Sequence, residues 1–389
     1  MFTGYREQRD RKGIEQLGSS AWQRPTRMTG FRLAAATRLA ATGLTWAALG
    51  GGCTWAPTSP SPQVPSHPRN PVAGGLVVGL ITKTDANPFF VTMKEGALRR
   101  ADQLGVELQT FTGLYDGDTD AQVRAIETLL AVEAEGILIT PSDPAALRDL
   151  VGQAREAGVL VIALDTPFDP PNAVDATFAT DNFRAGELIG MWARARMGAG
   201  VMDARIATLD GSSAQVTVEV LRNQGFLHGV GIDLADPRRM YDENDPRIVG
   251  SSATMGTEAG GRSAMERLMR EHPAINLVYA INEPAAAGAY MALRSLGMAD
   301  DVLIVTIDGS CSGVRSVAAG EFGATAMQYP LRMAILGVEA VVESLTTGRK
   351  LANTPGLDFH DTGAALVTEA PVAGVPSIDT SRGLSECWG

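Results

Sequence analysis

The stretch of residues 76–90 reads L-V-V-G-L-I-T-K-T-D-A-N-P-F-F and combines an apolar run, a polar loop and the start of a helix. Its apolar start, Leu76–Ile81, predicts a buried strand, and Thr82–Asn87 predicts a polar loop. Pro88 suits the first turn of a helix, because its φ is already helical and its missing N–H would have had no partner there. The apolar residues of that helix recur at helical spacing, at Phe90, Met93, Ala97, Ala101 and Leu104. The loop therefore lies at the carboxyl end of a parallel strand, where open α/β sheets bind ligands.

Strand and helix patterns alternate from Leu76 onward, which predicts an α/β fold with parallel sheets covered by helices. The predicted strands are Leu76–Ile81, Val106–Thr110, Gly136–Thr140, Val159–Leu164, Arg205–Leu209, Arg247–Gly250, Leu277–Ala280 and Val302–Ile307. The predicted helices are Phe89–Leu104, Thr119–Ala134, Pro144–Ala157, Val216–Val230, Thr257–Arg270 and Pro284–Leu296.

Two segments of the chain follow the same plan. I-L-I-T-P-S-D-P-A-A-L starts at Ile137 and leads to V-I-A-L-D, which ends at Asp165. L-V-Y-A-I-N-E-P-A-A-A starts at Leu277 and leads to I-V-T-I-D, which ends at Asp308. Each is a strand, an acidic-Pro turn, an alanine-rich helix and a strand ending in Asp. Any βαβ unit has part of this pattern, but the shared turn and the terminal Asp favour two similar lobes whose strand ends face one cleft.

Residues 1–53 read as an upstream segment and a signal peptide rather than as part of the fold. An alanine-rich apolar stretch ends at Leu49, three glycines follow, and Cys53 comes next, which resembles a bacterial lipoprotein signal with Cys53 lipidated. Leu49 lies one place further from the cysteine than that pattern has, so an ordinary cleaved signal or a plain anchor is the alternative. Residues 1–27 are charged and aperiodic, and we expect translation to start at Met28 instead of Met1. Residues 54–73 alternate Pro with Ser and Thr, which predicts an extended tether.

Composition excludes several classes of function. The 389 residues carry a net charge of −11, which argues against a nucleic-acid surface. The four histidines have no metal-ligand spacing, so no metal site is predicted. No phosphate-binding loop, dinucleotide fingerprint or Gly-x-Ser-x-Gly elbow is present, and we expect neither a cofactor nor an enzyme activity.

Polar and aromatic residues at the strand ends form the candidate site. They suit an uncharged, polyhydroxylated ligand, because carboxylates accept hydroxyl protons, cations donate, amides do both and aromatic rings cover the C–H face of a sugar. Two cations balance two anions, so a strongly charged ligand would leave a buried charge unpaired. The predicted ligand-binding residues are Lys83, Asn87, Phe89, Phe90, Asp165, Arg222, Asn282, Asp308 and Gln328.

Several of these residues have structural alternatives. Phe90 lies on the apolar stripe of its helix, where core packing is as good an explanation as ligand contact. Asp165 and Asp308 could be helix caps or turn formers. Arg222 lies in a predicted helix, where an arginine most often forms a salt bridge at the surface.

The motifs G-L-I-T-K-T-D-A-N-P-F-F, I-A-L-D-T-P, F-A-T-D-N-F, I-N-E-P-A-A-A-G-A-Y and E-C-W-G resemble the periplasmic sugar-binding proteins of ABC importers. The resemblance is to the ribose-binding type of the type I fold, and within it to the fructose-binding branch. It implies two lobes, a three-strand hinge and closure around one sugar. The pentose-binding pattern would place ligand contacts at Asn87, Phe89, Phe90, Asp165, Arg222, Asn282, Asp308 and Gln328. This chain departs from it at Thr166, where the pattern has Arg, and at Lys83, where it has a small hydroxyl residue. These departures fit a fructose-like sugar and put ribose in doubt.

The same resemblance implies a division of the chain and a set of partners. Residues 74–180 and 329–357 form the N-terminal lobe, and residues 181–328 and 358–389 form the C-terminal lobe. We expect a monomer outside the cytoplasmic membrane, attached only through a lipid anchor, that delivers a monosaccharide to an ABC permease with its ATPase. A sensor feeding a chemoreceptor or kinase, a sugar-modifying enzyme of similar shape and a binder of linear polyols are the alternatives.

The cysteines agree with export. If Cys53 carries a lipid, Cys311 and Cys387 remain as an even pair in an oxidising compartment, and we predict a disulfide between them. Two buried thiols are the alternative.

Overall fold

The computed structural model describes residues 75–212 and 215–389. The predictions for the signal peptide, lipidation at Cys53, the start at Met28 and the tether lie outside the described residues. The strands are β1 Val77–Thr84, β2 Glu107–Gly113, β3 Gly136–Ile139, β4 Leu160–Leu164, β5 Ala176–Ala179, β6 Ile206–Asp210, β7 Ile248–Ala253, β8 Leu277–Ala280, β9 Leu303–Asp308, β10 Ala324–Met327, β11 His360–Asp361 and β12 Ala365–Val367. The α-helices are α1 Pro88–Leu104, α2 Thr119–Ala131, α3 Pro144–Glu156, α4 Asn182–Met197, α5 Thr217–Val230, α6 Glu258–Glu271, α7 Glu283–Leu296, α8 Cys311–Ala318, α9 Pro330–Thr347 and α10 Thr380–Glu386.

The strands form two six-stranded sheets, one in each lobe. The first has the order β2-β1-β3-β4-β5-β11 and the second the order β7-β6-β8-β9-β10-β12. Neighbouring strands are parallel except β10 and β12, which run antiparallel. In both sheets the chain order reverses beside the first strand of the lobe, between β1 and β3 and between β6 and β8, which is the switch point where such sheets bind ligands. The predicted pair of doubly wound α/β lobes is confirmed.

Three connections join the lobes. They run from β5 to α4, from β10 to α9 and from β11 to β12, as the resemblance implied. The sequence-based division assigned residues 358–389 to the second lobe. His360 and Asp361 instead pair with Phe178 and Ala179 of β5, so this short strand extends the first sheet before the chain crosses for the third time.

The first strand is longer than predicted. β1 continues to Thr84 because Thr82 and Thr84 still pair with β2, opposite Thr112 and Gly113. Lys83 is therefore a strand residue, 5% exposed, and not part of a solvated loop. The sequence patterns did not locate β5 and β10, which read A-T-F-A and A-T-A-M and carry too few apolar β-formers to be recognised in isolation.

Apolar faces of helices and sheets form the cores. In the first lobe α1 and α9 cover one face of the sheet, with Met93, Ala97, Met333 and Val338 fully buried between them and the strands. The second lobe has one large core built around its central strands and the α4 side chain Trp192, which is 1% exposed. The carboxyl ends of the parallel strands are left uncovered by these layers and carry the polar residues discussed next.

Candidate functional site

A cavity of about 480 Å³ lies where the strand ends of the two lobes meet. Both lobes contribute to its wall, so a ligand inside it would contact each of them. Eight of the nine predicted ligand-binding residues line this cavity: Lys83, Asn87, Phe89, Phe90, Asp165, Arg222, Asn282 and Asp308.

The ninth predicted residue, Gln328, lies behind the cavity wall and is fully buried. Its Oε1 accepts a hydrogen bond from Arg222 Nη2 at 2.9 Å, and its Nε2 donates to Asn182 Oδ1 at 3.1 Å. The same Asn182 oxygen accepts from Arg222 Nε at 2.9 Å, and Ile281 O accepts from Arg222 Nη1 at 3.0 Å. Gln328 thus holds Arg222 in place, and Arg222 is a buried residue instead of a partner in a surface salt bridge.

Close packing of α4 on α5 fixes the main chain that carries Arg222. A Cβ atom at Gly186 would lie 2.1 Å from Arg222 O, and one at Gly225 would lie 2.1 Å from Phe183 O. Only glycine allows the two helices to approach this closely. Asn182, at the start of α4, can therefore reach the guanidinium of Arg222 on α5.

Asp165 and Asp308 occupy equivalent positions at the ends of β4 and β9. Neither is the N-cap residue of a helix, but both adopt positive φ, 64° and 148°, which residues other than glycine rarely do. Such strain of about 1–3 kcal/mol persists only where the surroundings hold the residue, and it is common at ligand sites. The two φ values differ, so what the lobes share is a strained Asp at an equivalent strand end and not one backbone conformation.

The two carboxylates differ in how far they are satisfied. Asp165 Oδ2 accepts from Thr166 Oγ1 at 2.9 Å, whereas its buried Oδ1 has no hydrogen-bond partner among the described residues. Asp308 Oδ2 accepts from Glu283 N at 3.2 Å, and its Oδ1 lies 3.9 Å from Arg222 Nη1. Burial raises the pKa of Asp308 well above its usual range, although the Arg222 guanidinium acts to lower that pKa.

Glu283 is a second buried carboxylate beside Asp308 that the sequence analysis did not select. Gly309 N, Ser310 N and Thr325 Oγ1 donate to it at 2.8, 3.0 and 2.8 Å, and Ser310 Oγ donates to it as well. Burial raises its pKa to about 6 in spite of these donors. Its oxygens hold the turn that follows β9, which fixes the backbone next to Asp308.

Asn87 and Asn282 cap the helices that start at the cavity. Asn87 Oδ1 accepts from Phe89 N at 3.0 Å, and Asn282 Oδ1 accepts from Ala285 N at 3.0 Å. Asn282 Nδ2 also donates to Gly256 O at 3.0 Å. These caps hold each amide in a fixed orientation at the cavity wall.

An aromatic wall closes one side of the cavity. Phe89 and Phe90 are 3% and 4% exposed, and their rings meet edge to face with centroids 5.3 Å apart. Both rings also belong to the apolar core of the first lobe. Phe90 packs in the core and also lines the cavity, so the core role is observed and ligand contact by Phe90 stays a prediction.

The charges of the cavity do not balance as the sequence suggested. Lys83 Nζ lies 3.9 Å from Asp116 Oδ1, and Glu219 lines the cavity from the second lobe, where Ser212 N donates to it at 3.1 Å. Burial raises the pKa of Glu219, while Lys83 acts to lower it. Among the residues that the structure describes, six carboxyl groups and three basic side chains line the cavity, because residues of the loops beyond the strand ends fold over it.

Four residues of this arrangement were not selected from the sequence: Asn182, Glu219, Glu283 and Trp388, whose ring meets that of Phe89 with centroids 5.3 Å apart. Three of them lie inside motifs that carry the family resemblance, F-A-T-D-N-F, I-N-E-P-A-A-A-G-A-Y and E-C-W-G. Glu219 lies in no such motif, and no pattern in the sequence marked it.

The structure contains the predicted disulfide between Cys311 and Cys387, whose Cα atoms are 4.9 Å apart. Within residues 75–212 and 215–389, no group of three or more His, Cys, Asp or Glu side chains is arranged to hold a metal ion. No helix in this same part of the chain combines the length and apolar character needed to cross a lipid bilayer.

Comparisons with known proteins agree with this architecture. The ribose import binding protein of Bacillus subtilis is 28% identical over 279 residues, which are 72% of this chain and 84% of that protein. The D-allose-binding periplasmic protein of Escherichia coli is 24% identical over 296 residues, 75% of this chain and 91% of that protein. The solved structure of an ABC transporter solute binding protein from Mycobacterium smegmatis with bound glycerol is similar at a TM-score of 0.66 and 25% identity, covering 79% of this chain and 96% of that chain.

Residues 78–350 match the family described as the periplasmic binding protein domain. The match spans most of the chain and both lobes. This chain therefore belongs to the periplasmic binding protein family, and it is a binding protein and not an enzyme.

Proposed function

We propose that this protein captures one neutral monosaccharide in the cavity between its lobes and delivers it to an ABC permease. The observation that carries the proposal is the Asp165 carboxylate, whose buried Oδ1 lacks a partner among the described residues at the wall of a cavity. Leaving a buried carboxylate oxygen unpaired is costly. A sugar hydroxyl donating to this atom would remove that cost.

The remaining wall suits the rest of a sugar. Arg222 offers donors, Asn87 keeps its amide nitrogen for an acceptor after capping α1, and Phe89 offers a flat apolar face. The excess of carboxyl groups disfavours a sugar acid or sugar phosphate, whose charge would be repelled in a buried site.

The finer choice of sugar rests on two residues. We propose a fructose-like ligand, with ribose or mannose next, because Thr166 and Lys83 depart from the pentose-binding pattern. Lys83 Nζ lies 6.0 Å from the centre of the Phe90 ring, so its donors are at the aromatic wall. The ribose and D-allose names of the relatives point to monosaccharides but do not choose among them.

Transport requires closure of the lobes around the ligand. A ligand that contacts both lobes binds the closed state better and shifts the equilibrium towards it. The protein then acts as a monomer outside the cytoplasmic membrane, lipid-anchored through Cys53, and the permease with its ATPase recognises the closed form.

The test is a calorimetric titration of the purified protein with D-fructose, D-ribose, D-mannose, xylitol and erythritol. We expect one monosaccharide to bind and Asp165→Asn to weaken it about tenfold or more, since a charged acceptor contributes roughly 1.5–3 kcal/mol. Asp175→Asn is the control, because Asp175 binds Arg155 and Val161 N outside the cavity. No heat with any monosaccharide, or equal affinity of the Asp165→Asn variant, would refute the proposal, and preference for xylitol would replace the monosaccharide with a linear polyol.

A further inference from the structure

The last three residues, Cys387–Gly389, are anchored to the second lobe. The disulfide joins Cys387 to Cys311 at the start of α8. Cys387 N donates to Gly383 O at 2.8 Å, and Cys311 N donates to Trp388 O at 2.8 Å. The backbone of Trp388 is therefore held by a covalent bond beside it and by a hydrogen bond of its own.

The side chain of Trp388 nevertheless packs in the core of the first lobe. It is 7% exposed and belongs to the apolar cluster formed by β1, α1 and α9. Its ring meets the ring of Phe89 edge to face, with centroids 5.3 Å apart and an interplanar angle of 81°. Because Phe89 lines the cavity, Trp388 supports the aromatic wall from behind.

The indole N–H of Trp388 holds two further parts of the site. It donates to Gln328 O at 2.9 Å and to Asp308 O at 3.2 Å. Asp308 is the strained residue with φ of 148°, and Gln328 begins the connection from β10 to α9 that joins the lobes. A single side chain thus contacts the aromatic wall, an acidic residue of the cavity and a connection between the lobes.

We propose that Trp388 is a positioning residue for the ligand, and that the disulfide acts on ligand affinity through it. The inference rests on the sugar-binding function proposed above. Without the disulfide, Cys387 loses its covalent hold, and Trp388 can move away from Phe89 and Asp308. Coupling between two equilibria is reciprocal, so bound ligand must protect the disulfide against reduction by the same factor by which the disulfide tightens binding.

The first test compares ligand affinity and thermal stability in three variants. Trp388→Phe keeps an aromatic ring near Phe89 but removes both indole hydrogen bonds, whereas Trp388→Ala removes the ring as well. Trp192→Phe is the control, since Trp192 is a buried indole in the core of the second lobe that donates to Ala370 O at 2.8 Å, outside the cavity. Each variant is titrated by calorimetry with the monosaccharide that binds the unmodified protein best, starting from D-fructose and D-ribose.

We expect Trp388→Ala to weaken sugar binding at least about tenfold, because it removes the aromatic contact with Phe89 and both indole hydrogen bonds. Trp388→Phe should weaken binding less, because it keeps a ring beside Phe89. Trp192→Phe should lower the melting temperature and leave the dissociation constant within about twofold. The inference would be overturned if Trp388→Phe bound sugar as tightly as the unmodified protein, or if Trp192→Phe lost as much sugar affinity as Trp388→Phe. Either result would leave the sugar-binding proposal intact.

The second test measures the coupling directly. The ratio of reduced to oxidised dithiothreitol at which half of the disulfide is reduced is determined with and without saturating sugar, and the affinity of Cys311→Ser/Cys387→Ser is measured alongside. We expect sugar to raise that ratio and the double variant to bind more weakly, by the same factor. An unchanged midpoint would overturn the role of the disulfide. If no monosaccharide binds the unmodified protein, both the proposed function and this inference fail.

Discussion

Replacing Gln328 with leucine tests whether this residue acts through Arg222. The substitution keeps the size of the buried side chain but removes the acceptor for Arg222 Nη2 and the donor to Asn182 Oδ1, at 2.9 and 3.1 Å. Arg222 would retain its bonds to Asn182 and Ile281 O. Its guanidinium would lose one of three anchors and could turn away from the cavity.

The expected loss of stability follows from these two bonds. A hydrogen bond to a charged group contributes about 1.5–3 kcal/mol and a neutral one about 1 kcal/mol, so the free energy of unfolding should fall by about 2–4 kcal/mol. Sugar affinity should fall about tenfold or more, because Arg222 no longer presents its donors in one orientation.

The assay combines urea unfolding with calorimetric titration. Gln224→Leu is a matched control, since Gln224 is also fully buried and donates to one carboxylate, Glu243, and to one amide, Asn223, away from the cavity. We expect a similar loss of stability there and unchanged affinity. A Gln328→Leu protein that keeps both its stability and its affinity would refute the role assigned to Gln328.

Three other predictions concern stability. Replacing Cys311 and Cys387 with serine should lower the free energy of unfolding, measured in urea, by about 4–5 kcal/mol. This value follows from the chain-entropy model for a sequence separation of 76 residues. A loss below about 1 kcal/mol would contradict that model for this disulfide. Burial raises the pKa of Glu283 from 4.5 to about 6, so the folded chain binds the extra proton between these pH values. The free energy of unfolding should therefore fall by about 2 kcal/mol as pH rises through that window, and Glu283→Gln should abolish that part of the slope. Gly186→Ala forces a Cβ to 2.1 Å from the main chain of α5 and should lower the free energy of unfolding by about 1–3 kcal/mol. Gly152→Ala is the control, because no atom of the described residues lies near the added Cβ and the substitution should not destabilise the protein. Equal stability of the two variants would contradict this prediction.

Sequence patterns predicted β1 and α1 because both elements have local signals in the sequence, namely apolar periodicity and a favourable residue at the helix start. The stretch around Pro88 combines a continuous apolar strand, a proline at the first turn of a helix and a helical apolar stripe, and all three were present in the structure. Short strands such as β5 and β10 carry no pattern of their own. They form because neighbouring strands offer them hydrogen bonds, and this is a property of the sheet.

Hydrophobic periodicity and turn positions are properties of the linear chain, and they were enough to predict two α/β lobes with polar residues at their strand ends. The contacts of each of these residues could be read only from the folded protein. It placed Gln328 behind Arg222, brought Glu219 into the cavity and set Trp388 of one lobe against Phe89 of the other. Burial, hydrogen-bond partners and the balance of charge depend on which distant segments meet, as Arg222 and Gln328 do across 106 positions of the chain, and local sequence patterns carry no record of such contacts.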